Sequence, residues 1–113
     1  MMQAYYKAGQ SLKLHERHAA MGYVPWVVVE AAREVGIQGA VVHTSATRPR
    51  GKVLRLHELG RADDFDAVEL AEDSPLWHAW KAEVKRRLGG NYDVIARAVS
   101  GGRMHIHVEY DPK

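Results

Sequence analysis

In the second half of the chain, HELGRADD sets a histidine, His57, and an aspartate, Asp64, seven positions apart, and HIH adds two imidazoles at His105 and His107. Imidazole nitrogens and carboxylate oxygens are donors that a water-activating zinc ion takes, three from the protein with one position left open. Cysteine is absent, which excludes disulfides, thiolate nucleophiles and sulfur-ligated zinc together and leaves His and carboxylates as the metal ligands. Gly60 permits a tight turn or close backbone approach between His57 and Asp64, and Ala62 is small enough to pass beside a metal centre. Alone, a His and an Asp at this spacing are what many loops hold, and two histidines on a half-exposed strand are as ordinary. Together they supply donors enough for one ion, with one of the C-terminal imidazoles left to hydrogen-bond to substrate or to bound water.

These residues need elements to position them. RMHIHVEY, preceded by YDVIARAV and a turn at Ser100-Gly101-Gly102, reads as a hairpin. A period of two sends His105, His107 and Glu109 to one face of its second strand and Met104, Ile106, Val108 and Tyr110 to the other. ADDFDAVEL is strand-like, with Asp64 and Asp66 sharing a face with Ala62 and Val68. GAVVHTSA, Gly39 to Ala46, is a short β-rich run that reads as a buried strand. Thr47 to Arg61 turns to Arg, Pro, Gly and Lys and reads as a long exposed loop, where sites usually sit.

Two helices complete the pattern. Pro25 opens WVVVEAAREVG, with Trp26, Val27, Ala31 and Val35 toward the core and Gly36 at its end, although the three valines leave strand as a competing assignment. Ser74-Pro75 opens the clearer helix, with Trp77, Trp80, Val84 and Leu88 on one stripe and Gly89-Gly90 closing it. Residues 1 to about 23 are polar and weakly periodic, an extended arm or short strand. The expected fold is α+β, a small antiparallel sheet carrying the candidate ligands on one face with the helices against the other.

A chain of 113 residues that is 46% hydrophobic is of a size for one core, so a single domain over 1–113 is expected. Sixteen basic against 14 acidic residues leave a formal charge of +2 with no basic cluster interleaved with aromatics, so specific nucleic-acid binding is not expected. The N-terminal stretch lacks the long apolar run of a signal peptide or membrane span. Something else must carry the protein to any target outside a bacterial membrane.

The order Ser45-Ala46-Thr47-Arg48, then His57 to Asp64 in HELGRADD, then Trp80, then His105-Ile106-His107 resembles the zinc D-alanyl-D-alanine peptidases, which share their fold with the Hedgehog signalling domain. That family carries SxxR, HxxGxAxD and a C-terminal HxH, and the match runs from Gly39 to Pro112. The resemblance implies zinc bound by His57, Asp64 and His107. It implies Arg48 as the cation that polarises the scissile carbonyl or holds its oxyanion, and His105 as a contact to substrate or tetrahedral intermediate. The substrate class it implies is the peptidoglycan stem peptide, cut at D-alanyl or adjacent bonds. The closing YDV…HIHVEYDPK is similar to small phage members, endolysins or virion proteins, which implies a host-cytoplasm or phage-particle location and other virion proteins as partners.

The pattern departs from the family at three positions. Met104 stands three residues before the last ligand, and Arg97 on the preceding strand, where family enzymes carry an acid; neither side chain accepts a proton near neutral pH. Glu109 and Glu58 are the nearby carboxylates that can stand in as general base. Arg55 precedes His57 where the family has Ser, and with Ser45 it is a candidate for contacting substrate, its guanidinium suited to a terminal carboxylate. The alternative reading is a zinc-binding member that does not hydrolyse and serves as a virion-structural or wall-binding module.

Overall fold

The computed structural model describes residues 4–6, 19–45, 61–98 and 103–112, with backbone alone at 4–6 and at Ser45. Its elements run β1 (Ala4–Tyr6), a 3-10 turn (Ala19–Met21), α1 (Val24–Glu34), β2 (Val41–Ser45), β3 (Ala62–Ala67), α2 (Leu76–Leu88), β4 (Tyr92–Ala98) and β5 (Met104–Tyr110). The strands form one sheet in the order β1-β2-β3-β5-β4. Neighbours from β2 to β4 pair antiparallel, and β1 adds a short parallel edge to β2. The expected α+β architecture with a small antiparallel sheet is thus present. Among the described residues, no helix is long and apolar enough to cross a membrane.

Alternation along the strands divides the sheet into two chemically distinct faces. Val41, Phe65, Ala67, Val94, Ile106 and Val108 are buried in one cluster with residues of both helices. From α2 that cluster takes the whole predicted stripe, Trp77, Trp80, Val84 and Leu88. Each apolar side chain of this kind contributes about 1.5–3 kcal/mol when fully buried. The two indole N–H groups are not wasted: Trp80 Nε1 donates to the Val28 carbonyl at 2.9 Å, tying α2 to α1, and Trp77 Nε1 donates to Ala71 at 2.9 Å.

α1 is a helix, which settles the valine run, and Val27, Ala31 and Val35 face the core as expected, but Trp26 does not. Val24, Val27, Val28, Ala31 and Ala32 are buried, whereas Trp26 is 65% exposed. The helix begins one residue earlier than Pro25, and the 100° step per residue that buries both Val24 and Val28 turns Trp26 outward. It ends as expected at Gly36, whose φ of 89° lets Gly36 N–H reach Arg33 O and Ile37 N–H reach Ala32 O, a Schellman closure with Ile37 buried against the core. At the start of α2 the N-cap falls on Pro75, one residue later than the Ser-Pro pair suggests, and Ser74 Oγ still accepts the Leu76 amide at 3.1 Å.

Two details position the opposite face. The β2–β3 register slips between His43 and Ser45: His43 lies opposite Phe65, and Ser45 opposite the very next residue, Asp64. Thr44 is the extra residue of this bulge, a device that commonly re-aims a strand beside a site. Farther along, Arg103 clamps the hairpin to the β3–α2 connection, donating to both Asp66 carboxylate oxygens and to the carbonyls of Ala67 and Leu70.

Candidate functional site

β3 and β5 pair so that Asp64 stands opposite His107 and Ala62 opposite Glu109. With β5 alternating, His105, His107 and Glu109 share this face while Ile106 and Val108 enter the core, as the period-two reading predicts. Asp64, His105 and His107 are all buried, at 6%, 9% and 2% exposure. Buried polar groups need partners, and the partners are mostly one another.

Both ring nitrogens of His107 face a carboxylate oxygen. Nδ1 lies 2.7 Å from Asp64 Oδ1 and Nε2 2.6 Å from Glu109 Oε1. Burial works against the charged imidazolium, but the hydrogen bonds and charges of Asp64 and then Glu109 outweigh it, so the His107 pKa is raised above its ordinary value. His105 is placed differently. Its Nε2 is buried, has no hydrogen-bond partner among the described residues, and lies 3.7 Å from Asp64 Oδ1. Asp64 Oδ1 is therefore approached by imidazole nitrogens from two residues of β5, one at hydrogen-bond distance and one beyond it.

The donor types in this set are ones that zinc takes, although among the described residues only Asp93, Glu109 and Asp111 bring three ligating atoms all within 4.8 Å of one another. A carboxylate oxygen and imidazole nitrogens are the ligand types zinc takes, and an orphaned buried nitrogen beside them is a lone pair or N–H in want of a partner. Asp64 and His107 can ligate, with Glu109 holding the second nitrogen of His107 in the manner of the carboxylates that orient metal-bound histidines. Glu109, a candidate general base in the sequence, is engaged with His107 at 2.6 Å.

The remaining predicted residues divide by position. Ser45 is placed opposite Asp64 by the register of β2. His57, Arg48 and Arg55, together with the alternative acid Glu58, lie outside the described residues. Met104 packs against the core cluster, and Arg97 pairs with His105 on the neighbouring strand, so the two positions where the sequence resemblance expects an acid hold an apolar group and a cation.

Sequence reasoning missed two arrangements. Asp93 and Asp111 bring carboxylate oxygens within 4.8 Å of each other and of Glu109, an all-oxygen group suited to a hard cation rather than to zinc. The antiparallel partner of Glu109 is Asp93, so the hairpin register carried that signal. The second arrangement is His43 and Asp63, both fully buried on the helix side of the sheet with His43 Nε2 3.1 Å from Asp63 Oδ1 and the imidazole stacked on Phe65. Neither residue stood out in the sequence, because a polar pair split between two strands leaves no local motif.

No family model, curated protein or solved structure matches the chain.

Proposed function

We propose that the protein is a zinc-dependent peptidase acting on D-alanyl or adjacent bonds of peptidoglycan stem peptides, in the manner of the phage-type members of the family it resembles. The observation that carries this reading is the pairing of Asp64 with His107 at 2.7 Å, with His105 Nε2 3.7 Å from the same carboxylate oxygen, on residues that HxxGxAxD and HxH single out. His57 completes the ligand set with Asp64 and His107. Zinc bound there supplies a Lewis acid for the scissile carbonyl and a water of lowered pKa.

The chain's own groups have the following work. Glu109 fixes the orientation of His107 through Nε2. His105 Nε2, unpartnered, offers a hydrogen bond to substrate or to the oxyanion that forms from it. Arg48 adds a fixed cation to that oxyanion.

A second reading is favoured by a specific observation: Arg97 stands opposite His105 and Met104 faces the core, so the family's acid is absent from both of its positions. On that reading the chain is a zinc-binding wall or virion module that does not hydrolyse. Metal analysis of purified protein, followed by turnover of peptides ending in D-Ala-D-Ala and of purified sacculi, separates the two. The peptidase reading expects one zinc per chain and product that vanishes with chelator and in Asp64→Ala. Zinc without product transfers the case to the module, and a chain that takes up no zinc sinks both.

A further inference from the structure

Antiparallel strands alternate between residue pairs that exchange both backbone hydrogen bonds and pairs that exchange none. The Asp111 amide donates to the Asn91 carbonyl at 2.8 Å, so the bonded pairs along the hairpin are Asp93–Glu109, Ile95–His107 and Arg97–His105. The residues between them, Tyr92, Val94, Ala96 and Ala98, turn their N–H and C=O groups away from β5. β4 is the last strand of the sheet, so those groups form its outer edge. At Tyr92 the edge is closed: the N–H donates to the Gly89 carbonyl at 3.3 Å and the carbonyl accepts Lys85 Nζ at 2.9 Å. At Val94, Ala96 and Ala98 the outward backbone groups have no such partner among the described residues.

An open edge is a template for another strand, and charge on it decides which strand is admitted. Arg97 is exposed and, among the described residues, enters no ion pair. It favours a strand that meets it with an acid, and β4 supplies that acid itself. Laid antiparallel against its own copy and centred on Ile95, the strand sets Asp93 opposite Arg97, Val94 opposite Ala96, and Ile95 opposite Ile95. Asp93 brings a carboxylate oxygen within 4.8 Å of those of Glu109 and Asp111, so the incoming cation meets concentrated negative charge. Ile95, a large apolar side chain at 40% exposure, gains an apolar partner. Moving the axis to Val94 or Ala96 keeps the hydrogen-bond parity but sets Arg97 against Asn91 or Ile95.

We propose that β4 pairs with β4 of a second copy about a two-fold axis at Ile95. Two five-stranded sheets become one of ten strands with both candidate sites on the same face. The two His107 positions lie three strand spacings apart, roughly 14 Å. The pairing is independent of the peptidase reading.

Sedimentation velocity of the full-length chain from micromolar to millimolar concentration tests it. A short edge makes an interface at the small end of the range, so a reversible dimer is expected. Arg97→Asp and Asp93→Arg each place like charges directly opposite and should weaken the dimer at least tenfold, and the double variant, which exchanges the charges, should restore it. The register is read separately. The sequence holds no cysteine, so Ile95→Cys gives a single thiol whose Cβ lies roughly 4.5–5.5 Å from its symmetry mate, close to disulfide reach. It should oxidise to a covalent dimer at least tenfold faster than Arg97→Cys. Should a charge variant fail to fold, the cross-linking comparison decides alone. A chain that stays monomeric throughout overturns the proposal and leaves the edge to an extended peptide of another protein. A dimer indifferent to both single reversals, or equal oxidation of the two thiol variants, overturns it as well.

Discussion

Asp63 and Asp64 are neighbours in sequence and stand back to back in β3, each facing a histidine from an adjacent strand. Asp63 points to the helix side, where His43 lies 3.1 Å away, the pair is sealed at 1% exposure or less, and Phe65 stacks on the imidazole at 4.6 Å. Asp64 points the other way, to His107 at 2.7 Å, with Glu109 behind that histidine and the unpartnered Nε2 of His105 at 3.7 Å. The same two side-chain types thus serve in two roles. In the core the pair is enclosed among apolar walls; on the other face Asp64, His105, His107 and Glu109 gather four titratable side chains.

The sharpest way to break this contrast is to remove each aspartate in turn. Asp63→Ala removes the carboxylate 3.1 Å from the buried His43 imidazole and should destabilise the protein by about 3–5 kcal/mol in urea unfolding, whereas the joint change His43→Leu with Asp63→Leu should come close to neutral. If the single substitution were harmless, the core pair would not be the structural one. Next in size is Glu109→Gln, which keeps the shape but weakens the hold on His107 Nε2. Zinc affinity measured by competition with a chelator dye should fall by roughly 10–100-fold, and an unchanged affinity would remove Glu109 from the site.

The smallest expected effect is in pH dependence. Because the folded-state pKa of His107 is raised above 6.5, its contribution to stability in metal-free protein is complete below that value and is lost as pH rises through the raised one. Urea midpoints of chelator-treated protein should show this decline, and His107→Gln should flatten it. A decline equally steep in the variant would place the proton elsewhere.

How much of this was legible beforehand follows from how local each signal is. The α2 stripe of Trp77, Trp80, Val84 and Leu88 and the parity of β5 are patterns within one element, and both appear as read. Trp26 was misplaced because apolar character alone does not fix the phase of a short helix rich in valine; burial of Val24 and Val28 decided it. The bulge at Thr44 and the His43–Asp63 contact depend on which strands become neighbours, information that no stretch of sequence holds by itself. For the candidate site, Asp64, His105 and His107 were named through the resemblance, their spacing alone being commonplace, and the engagement of Glu109 with His107 required the strand geometry.

The indoles give the molecule an optical record of its two sides. Trp77 and Trp80 lie buried with ring centroids 5.6 Å apart, close enough for their transitions to couple, while Trp26, the third tryptophan, faces solvent. A collisional quencher therefore reaches one emitter and spares two. Circular dichroism from the coupled pair follows the packing of helices on sheet, on the layer facing away from Asp64 and His107, so integrity of the scaffold and occupancy of the site can be watched as separate signals in one cuvette.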